Sequence, residues 1–439
     1  MSILFKIKEK KLLDILLFIT VIIFYYKIFV IYEHYPLHDE VIALDRYIEW
    51  KNFLRKDIIG NHTLNSFIAA ILNSFFGYDF INLRLISFVS LILILLFFRL
   101  QFSSIFLYLI FLTVITSSNI LFNYSYIFRG YYVAAFLSVA IFFFLKKYFN
   151  DTNNIKVLRI LFFLIFLQFF HSLFTIYIAI PSLMIIFFTT LKKKITKEII
   201  YSYIFFSTSV ISIYILFSFI DGFVLLHNSN LTFDFLLKNF FNIFIPCTIS
   251  GFEKIFFSEL TESNFFAIKS VFESMYYGVS NIYVAEPFFL LIYLLSFLLA
   301  VFNLIKLKMT DHLSNTILLI FIFFILISKA PPLRAFTGSV FFCLFYIINY
   351  FSYYKLPYKN IISKISFVLC FALIINVSPN ENFQQTKETV MRIDKFKTDC
   401  INANDKLSQY EIWVLINYYP NQCGYKYNKK LKANILYDK

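Results

Sequence analysis

The sequence predicts an all-α polytopic membrane protein with about eleven transmembrane helices, interfacial helices in its first outer loop and a small C-terminal extracytoplasmic α/β module. Of its 439 residues, 60% are hydrophobic and 15% are charged, whereas a soluble domain has about 45–50% apolar and about 25% charged residues. Several apolar runs reach the ~20 residues with which a helix crosses a ~30 Å hydrocarbon layer. The 62 phenylalanines and 8 glycines argue against disorder and against a barrel of short alternating strands.

The chain begins with "MSILFKIKEKKLLDILLFITVIIFYY", a lysine-rich head followed by an apolar run. No small-residue cleavage site follows this run, and it is long for a signal core, so we expect an uncleaved anchor with its N-terminus in the cytoplasm. Further crossings are predicted near residues 81–98, 103–122, 131–146, 155–171, 172–190, 198–220, 287–305, 312–329, 335–354 and 361–377.

Basic segments between the apolar runs predict the orientation. "KKYFND" from Lys146 and "LKKKITK" from Leu191 should both lie in the cytoplasm. An even number of crossings must separate them, so residues 155–190 are expected to form a hairpin with its apex near His171. "IKLK" from Ile305 should also lie in the cytoplasm, so an even number of crossings must separate it from "LKKKITK". With eleven crossings in total, the C-terminus is then expected outside a bacterial inner (plasma) membrane. The net charge of +14 is spread among these segments and does not indicate a nucleic-acid partner.

Three polar segments are then predicted to face outward: residues 33–80, 221–286 and 378–439. The first contains "EVIALDRYIEWKNFLRK", which is expected to lie along the interface as an amphipathic helix, and "HTLNSFIAAILNSFF", a second short helix. We therefore divide the chain into a transmembrane domain, 1–377, and a C-terminal domain, 378–439. In the latter, Cys400 and Cys423 form either a disulfide or two free thiols, and the sequence leaves both alternatives open.

The polar residues that remain lie at the predicted outer ends of helices. They are Asp39, Glu40, His62, Arg84, Arg129, His171, Lys329 and Arg334. On the predicted topology all of them share one side of the membrane. The sequence contains no metal-ligand cluster, phosphate-binding glycine loop or nucleophile-elbow motif, so we predict no metal site from spacing alone.

An ordered series of motifs accompanies these residues. Asp39–Glu40 is followed by "GNHTLNSFIAAILNSFFG", by "NLRLISFVSLILILLFF" with Arg84, and by "NYSYIFRGYYVAAFL" with Arg129. "FFHSLFTIYIAIP" with His171 and "PPLR" with Arg334 complete the series. This series resembles the GT-C-type integral membrane glycosyltransferases, the class of the protein O-mannosyltransferases and the lipid A aminoarabinose transferases. The resemblance covers residues 12–190 well and the remainder loosely.

The resemblance implies transfer of a sugar, with inversion, from a polyprenyl-phosphate donor to a glycan, lipid or protein acceptor on the extracytoplasmic face. Asp39 is the implied base for the acceptor hydroxyl, and Glu40 would position the acceptor or nearby basic groups. Arg129 and Arg334 are the implied ligands of the departing phosphate, with Arg84 and Lys329 behind them. No cofactor is required. Members of the class can bind a divalent metal. This sequence lacks a second carboxylate to hold one, because Ile127 stands where relatives often carry an acidic residue.

Other interpretations of the same residues remain open. Asp39–Glu40 is also compatible with a solvated helix end, Arg129 with a lipid anchor, and Arg84 with a structural partner of the first outer loop. A transporter or flippase for lipid-linked saccharide would have charged residues in mid-helix and inverted halves. An O-antigen-type polymerase or ligase would carry catalytic basic residues in the 221–286 loop.

Overall fold

The computed structural model describes residues 2–31, 40, 43, 62–76, 80–171, 176–191, 196–221, 287–306, 311–325, 333–353 and 359–378. Within these ranges the regular structure is entirely helical and no strand occurs. Several predictions therefore concern residues outside the described ranges: the base Asp39, Lys329, most of the interfacial helix, the 221–286 loop beyond its first residue, and the C-terminal domain with Cys400 and Cys423.

The described helices follow one another in the order expected from the apolar runs. They are α1 (Ser2–Tyr25, continued by a π-helical turn Tyr26–Ile31), α2 (Thr63–Phe76), α3 (Phe80–Gln101), α4 (Ile105–Ser117), α5 (Asn119–Asn123), α6 (Tyr131–Asn150), α7 (Ile155–His171), α8 (Ile176–Leu191), α9 (Lys197–Asp221), α10 (Pro287–Lys306), α11 (His312–Ile325), α12 (Thr337–Ser352, preceded by a 3-10 turn Leu333–Phe336) and α13 (Lys359–Asn376).

Five of the described helical segments are long and apolar enough to cross a membrane. They are Glu9–Val30, Leu83–Gln101, Tyr131–Asn150, Phe288–Lys306 and Arg334–Ser352. Such lengths match a hydrocarbon layer of about 30 Å at 1.5 Å per residue. The chain is therefore an integral membrane protein.

Two of the predicted runs are divided in the structure. Residues 155–190 form two helices, α7 ending at His171 and α8 beginning at Ile176, as the parity of the basic segments requires. The run 103–122, predicted as one crossing, is divided into two helices in the structure, because the first of them stops at Ser117. Ser118 has an extended backbone (φ −92°, ψ 119°), and its hydroxyl accepts a hydrogen bond from Leu121 N, which caps the short helix α5. Hydropathy alone does not detect such a cap, since the residues on both sides are apolar.

Helix α6 lies at the centre of the bundle. It runs parallel to α12, since Phe142 packs on Phe342 with ring centroids 5.3 Å apart and the Lys146 ammonium donates to Asn349 Oδ1 at 2.6 Å further along. The two helices approach closely where Gly338 faces Ser138: a Cβ at Gly338 would lie 2.8 Å from Ser138 Oγ. Small residues allow this close approach, on which van der Waals packing between helices in lipid depends.

The directions of the neighbouring helices bring their ends together at two poles. α3 is parallel to α6, with Ser87 donating to Ile127 O near the start and Phe97 packing on Phe143 further on. α7 is antiparallel to α6, because its last residue, His171, reaches the residue before α6. α1, antiparallel to α3, places its last turns beside the start of α3. We call the pole at the start of α6 the Gly130 end and the opposite pole the Lys146 end.

Candidate functional site

The Gly130 end is organised around residues 124–130, the connecting turn between α5 and α6. Gly130 has a φ of +71°, a left-handed conformation that residues with a Cβ adopt at a cost. A Cβ at Gly130 would also lie 2.7 Å from His62 Cβ and 3.0 Å from Asn65 Cβ. Glycine is thus required both for the turn and for the close approach of the start of α2.

A buried ion pair lies on one side of the connecting turn. Arg84 Nη2 is 2.9 Å from Glu40 Oε2, and Arg84 Nε donates to Glu40 Oε1 at 3.1 Å, a bidentate arrangement. Glu40 Oε1 also accepts from the backbone N–H of Phe128 at 2.7 Å. The Glu40 carboxylate therefore connects α3 to the connecting turn. A structural role for Arg84 predicted a partner in the first loop, and Glu40 is that partner.

Tyr126 completes this side of the turn. Its hydroxyl donates to Asn123 Oδ1 at 2.9 Å. Burial raises the pKa of Tyr126; the nearby Arg84 guanidinium lowers it and the Glu40 carboxylate raises it. A tyrosine phenol is protonated at neutral pH even without this shift, which suits its role as a hydrogen-bond donor.

A second group of side chains lies on the other side of the connecting turn. His171 Nε2 is 2.9 Å from Gly130 O, and since a carbonyl oxygen only accepts, this nitrogen carries the proton. The His62 ring lies 5.2 Å from the His171 ring and 4.7 Å from the Tyr131 ring. Arg334 Nε in turn donates to Tyr131 Oη at 2.9 Å. His62, Tyr131, His171 and Arg334, which come from four separate parts of the chain, thus form a continuous polar cluster.

Arg129 lies in the chain between these two groups. Its side chain is buried, with 7% of its surface exposed, and its backbone N–H donates to Ile127 O at 2.9 Å. A guanidinium is always charged, so burying one requires compensating polar groups or a charged ligand.

Three buried polar atoms at the same end have no hydrogen-bond partner within the described residues: Thr63 Oγ1, Asn65 Oδ1 and Asn123 Nδ2. Leaving a buried polar atom unsatisfied costs about 1–3 kcal/mol. Such atoms in a native protein are expected where a water molecule or a polar ligand supplies the partner. The same end of the bundle holds two histidines and three arginines, so it is chemically suited to an anionic, hydroxyl-rich ligand.

Protein-family models, curated proteins and solved structures were all compared with this chain, and none matches.

The structure brings together six of the eight predicted site residues. Two belong to the ion pair (Glu40 and Arg84), three to the second polar group (His62, His171 and Arg334), and Arg129 lies on the connecting turn between them. The other two, Asp39 and Lys329, lie outside the described residues. Within the described ranges, which do not include Asp39, no group of three or more His, Cys, Asp or Glu side chains could hold a metal ion.

Sequence reasoning did not single out Tyr131, Gly130 or the Phe128 amide. Tyr131 is one of 31 tyrosines, and no spacing distinguishes it from the others. Gly130 carried the better signal, since the chain has only 8 glycines and this one directly follows a candidate arginine. A backbone N–H has no residue signature, so the Phe128 contact follows only from the fold.

Proposed function

We propose that this protein is a membrane glycosyltransferase that moves a sugar from a polyprenyl-phosphate donor to an acceptor hydroxyl at the Gly130 end. This proposal rests on one observation: polar and charged residues from distant parts of the sequence meet at the connecting turn. Six residues from six separate parts of the sequence lie on the connecting turn or are linked to it by contacts: Glu40, His62, Arg84, Arg129, His171 and Arg334. Such convergence of charged and polar groups at helix ends is typical of a binding site.

The reaction requires a base and an anion-binding group. The acceptor oxygen attacks the anomeric carbon, and the carbon–oxygen bond to the lipid phosphate breaks with its electron pair leaving on the phosphate. Asp39 is the proposed base that takes the acceptor proton. It is adjacent in sequence to Glu40, whose bidentate contact with Arg84 restrains this part of the chain.

The departing lipid phosphate carries negative charge that must be stabilised. Arg129 and Arg334 are the proposed phosphate ligands, because guanidinium groups match phosphate oxygens with two parallel donors. Arg334 is oriented by its hydrogen bond to Tyr131 Oη. Arg84, already paired with Glu40, acts as a positioning residue, and Lys329 would add a further cation. Charge stabilisation of this kind, in a site that excludes water, is a large part of catalysis.

The proposed topology has eleven crossings, with the N-terminus in the cytoplasm and the Gly130 end outside a bacterial inner membrane. The alternating directions of the helices support it: α6 and α7 are antiparallel, as are α1 and α3. The 378–439 segment would then be an extracytoplasmic domain of α/β type, placed on the same side as the transfer site. Charged groups gathered at one end of the bundle favour transfer over transport, which would need them in mid-span.

A deletion strain tests this proposal through its glycoconjugates. Mass spectrometry of the cell surface should find one sugar missing, and the wild-type gene should restore it. Asp39→Asn should not restore it although the protein accumulates in the membrane, because an amide does not accept the acceptor proton. Asp14→Asn is the matched control, since Asp14 pairs with Arg99 away from the Gly130 end. Full restoration by Asp39→Asn, or an unchanged glycan profile in the deletion strain, would refute the proposal.

A further inference from the structure

A cavity of about 500 Å³ lies at the Lys146 end, far from the candidate transfer site. It is lined by the last turns of α6, α10 and α12 and by the first turn of α11. Lys146 lies about 22 Å along α6 from Tyr131, at 1.5 Å per residue. The two sites therefore occupy opposite ends of the same helix, and an inference about this cavity does not rest on the proposed function.

The cavity is positively charged. Lys146 and Lys306 both line it, and neither forms an ion pair with a carboxylate of the described residues. Lys146 is half-buried; its ammonium donates to Asn349 Oδ1 at 2.6 Å and lies 5.8 Å from the centroid of the Tyr353 ring. One hydrogen bond uses one of the three ammonium donors, which leaves two for a ligand.

Asp311 is the one carboxylate among the described residues that line the cavity, and its oxygens accept hydrogen bonds from the start of α11. Its Oδ1 accepts from Leu313 N at 3.3 Å, and its Oδ2 accepts from the Ser314 hydroxyl. Asp311 thus caps the N-terminus of α11, where a carboxylate is stabilised by the helix dipole. The two ammonium groups therefore exceed the acidic charge of the lining.

The remaining walls combine aromatic rings with polar groups. The Phe149 and His312 rings lie 4.9 Å apart, and Asn303 Nδ2 donates to Tyr346 Oη at 3.0 Å. Amide and hydroxyl groups beside two ammonium groups suit the oxygens of a phosphate, and the rings suit the organic part of its ester. The cavity also lies at the ends of membrane helices, the depth at which lipid phosphates are found.

We infer that this cavity binds a phosphate group, held by Lys146 and Lys306. Two sources supply this chemistry: the headgroup of an anionic lipid and a free phosphate. On the proposed topology the cavity opens on the cytoplasmic side, where anionic headgroups attract basic residues.

The binding is measured on the full-length protein in neutral detergent as the dose-dependent rise in its unfolding temperature, since a ligand stabilises the folded state by mass action. The probes are short-chain phosphatidylglycerol, inorganic phosphate and, as the phosphate-free comparison, short-chain diacylglycerol. A rise with phosphatidylglycerol alone assigns the site to a lipid headgroup, and a rise with inorganic phosphate assigns it to a soluble phosphate. A response to neither, or an equal response to diacylglycerol, would overturn the inference.

Charge-removing variants connect the response to the cavity. Lys146→Gln and Lys306→Gln should each weaken binding about tenfold, the usual scale for losing one charge-assisted contact. Lys306 is exposed at the end of α10, so its replacement leaves the packing intact even if the Lys146 variant is unstable. Lys147→Gln is the matched control, because it removes the same charge one residue away from an exposed position outside the lining. Equal affinities for the Lys306→Gln protein, the Lys147→Gln protein and the wild type would refute the assignment to this cavity.

Discussion

The Arg84 guanidinium and the Glu40 carboxylate form a buried bidentate ion pair, with 2.9 Å between Nη2 and Oε2 and 3.1 Å between Nε and Oε1. Glu40 is fully buried and Arg84 is 5% exposed. The pair joins the predicted first outer loop to α3, and the Glu40 carboxylate also binds the connecting turn through the Phe128 amide. A contact that links three chain segments restrains Glu40, Arg84 and the connecting turn relative to one another.

Breaking this pair should destabilise the protein strongly. Glu40→Ala leaves the Arg84 charge buried without its partner, a change that costs about 3–5 kcal/mol. We expect a clearly lower unfolding temperature in detergent, and partial recovery when Arg84→Met is added, since an apolar side chain of similar length removes the uncompensated charge. Asp14→Asn serves as the comparison: the Asp14 side chain is 51% exposed, and exposed pairs contribute about 0–1 kcal/mol. Equal stability losses in the two single variants would contradict the role of burial.

Gly130 should not tolerate a side chain. Gly130→Ala places a Cβ 2.7 Å from His62 Cβ and forces an L-residue into a left-handed conformation at a φ of +71°, a strain of about 1–2 kcal/mol before the clash is counted. Gly338→Ala is the comparison, because Gly338 lies inside a helix and its new Cβ meets a side-chain hydroxyl, Ser138 Oγ, instead of two Cβ atoms. Moving that hydroxyl disturbs its hydrogen bonds with Ala134 O and Gln168 Nε2 but does not strain the backbone, so we expect the smaller loss of stability here. Thermal unfolding of both variants measures the difference. Gly130→Ala as stable as Gly338→Ala would show that the turn is not constrained in this way.

The hydrogen bond between Arg334 and Tyr131 should matter for donor binding more than for folding. Tyr131→Phe keeps the ring against His62 and removes the oxygen that accepts from Arg334 Nε. Loss of a hydrogen bond of this strength corresponds to about 1.5–3 kcal/mol because one partner is charged, or roughly ten- to a hundredfold in donor affinity.

A double-mutant cycle with Arg334→Gln separates a shared effect from two independent ones. If Tyr131 acts by orienting Arg334, adding Tyr131→Phe to Arg334→Gln should cost little further affinity for a polyprenyl-phosphate sugar. Fully additive losses, measured in a detergent binding assay, would indicate that Tyr131 does not act through Arg334.

The orientation of the bundle can be tested with single cysteines and a membrane-impermeant maleimide. Position 40 is unsuitable because Glu40 is buried. Asn153 lies in the turn between α6 and α7 and is exposed, so Asn153→Cys should react only after permeabilisation of the cells. Asn228→Cys, in the predicted outer loop, should react in intact cells. The five native cysteines are replaced by serine in the background. Labelling of Asn153→Cys from outside would reverse the proposed topology.

The positions of the five described helices that are long and apolar enough to cross a membrane were predictable from the sequence, because an apolar run of that length is a local property of the chain. The division of residues 155–190 into two helices was also predictable from the sequence, since the basic segments on both sides require an even number of crossings between them. The break in the helix at Ser118 could not be predicted from the sequence. It depends on one hydroxyl capping the next helix, a local detail that a hydropathy average does not detect.

The sequence by itself identified which polar residues stand at helix ends, and hence the candidates Glu40, Arg84, Arg129 and Arg334. Only the tertiary structure decided which of them meet: Glu40 with Arg84 across 44 positions of the chain and Arg334 with Tyr131 across 203. The tertiary structure also brings Lys146 and Asn349 together in a cavity that no sequence motif predicts. The physical reason is that such pairings depend on how helices pack side by side, and packing is determined by shape complementarity between distant segments rather than by the spacing of residues along one segment.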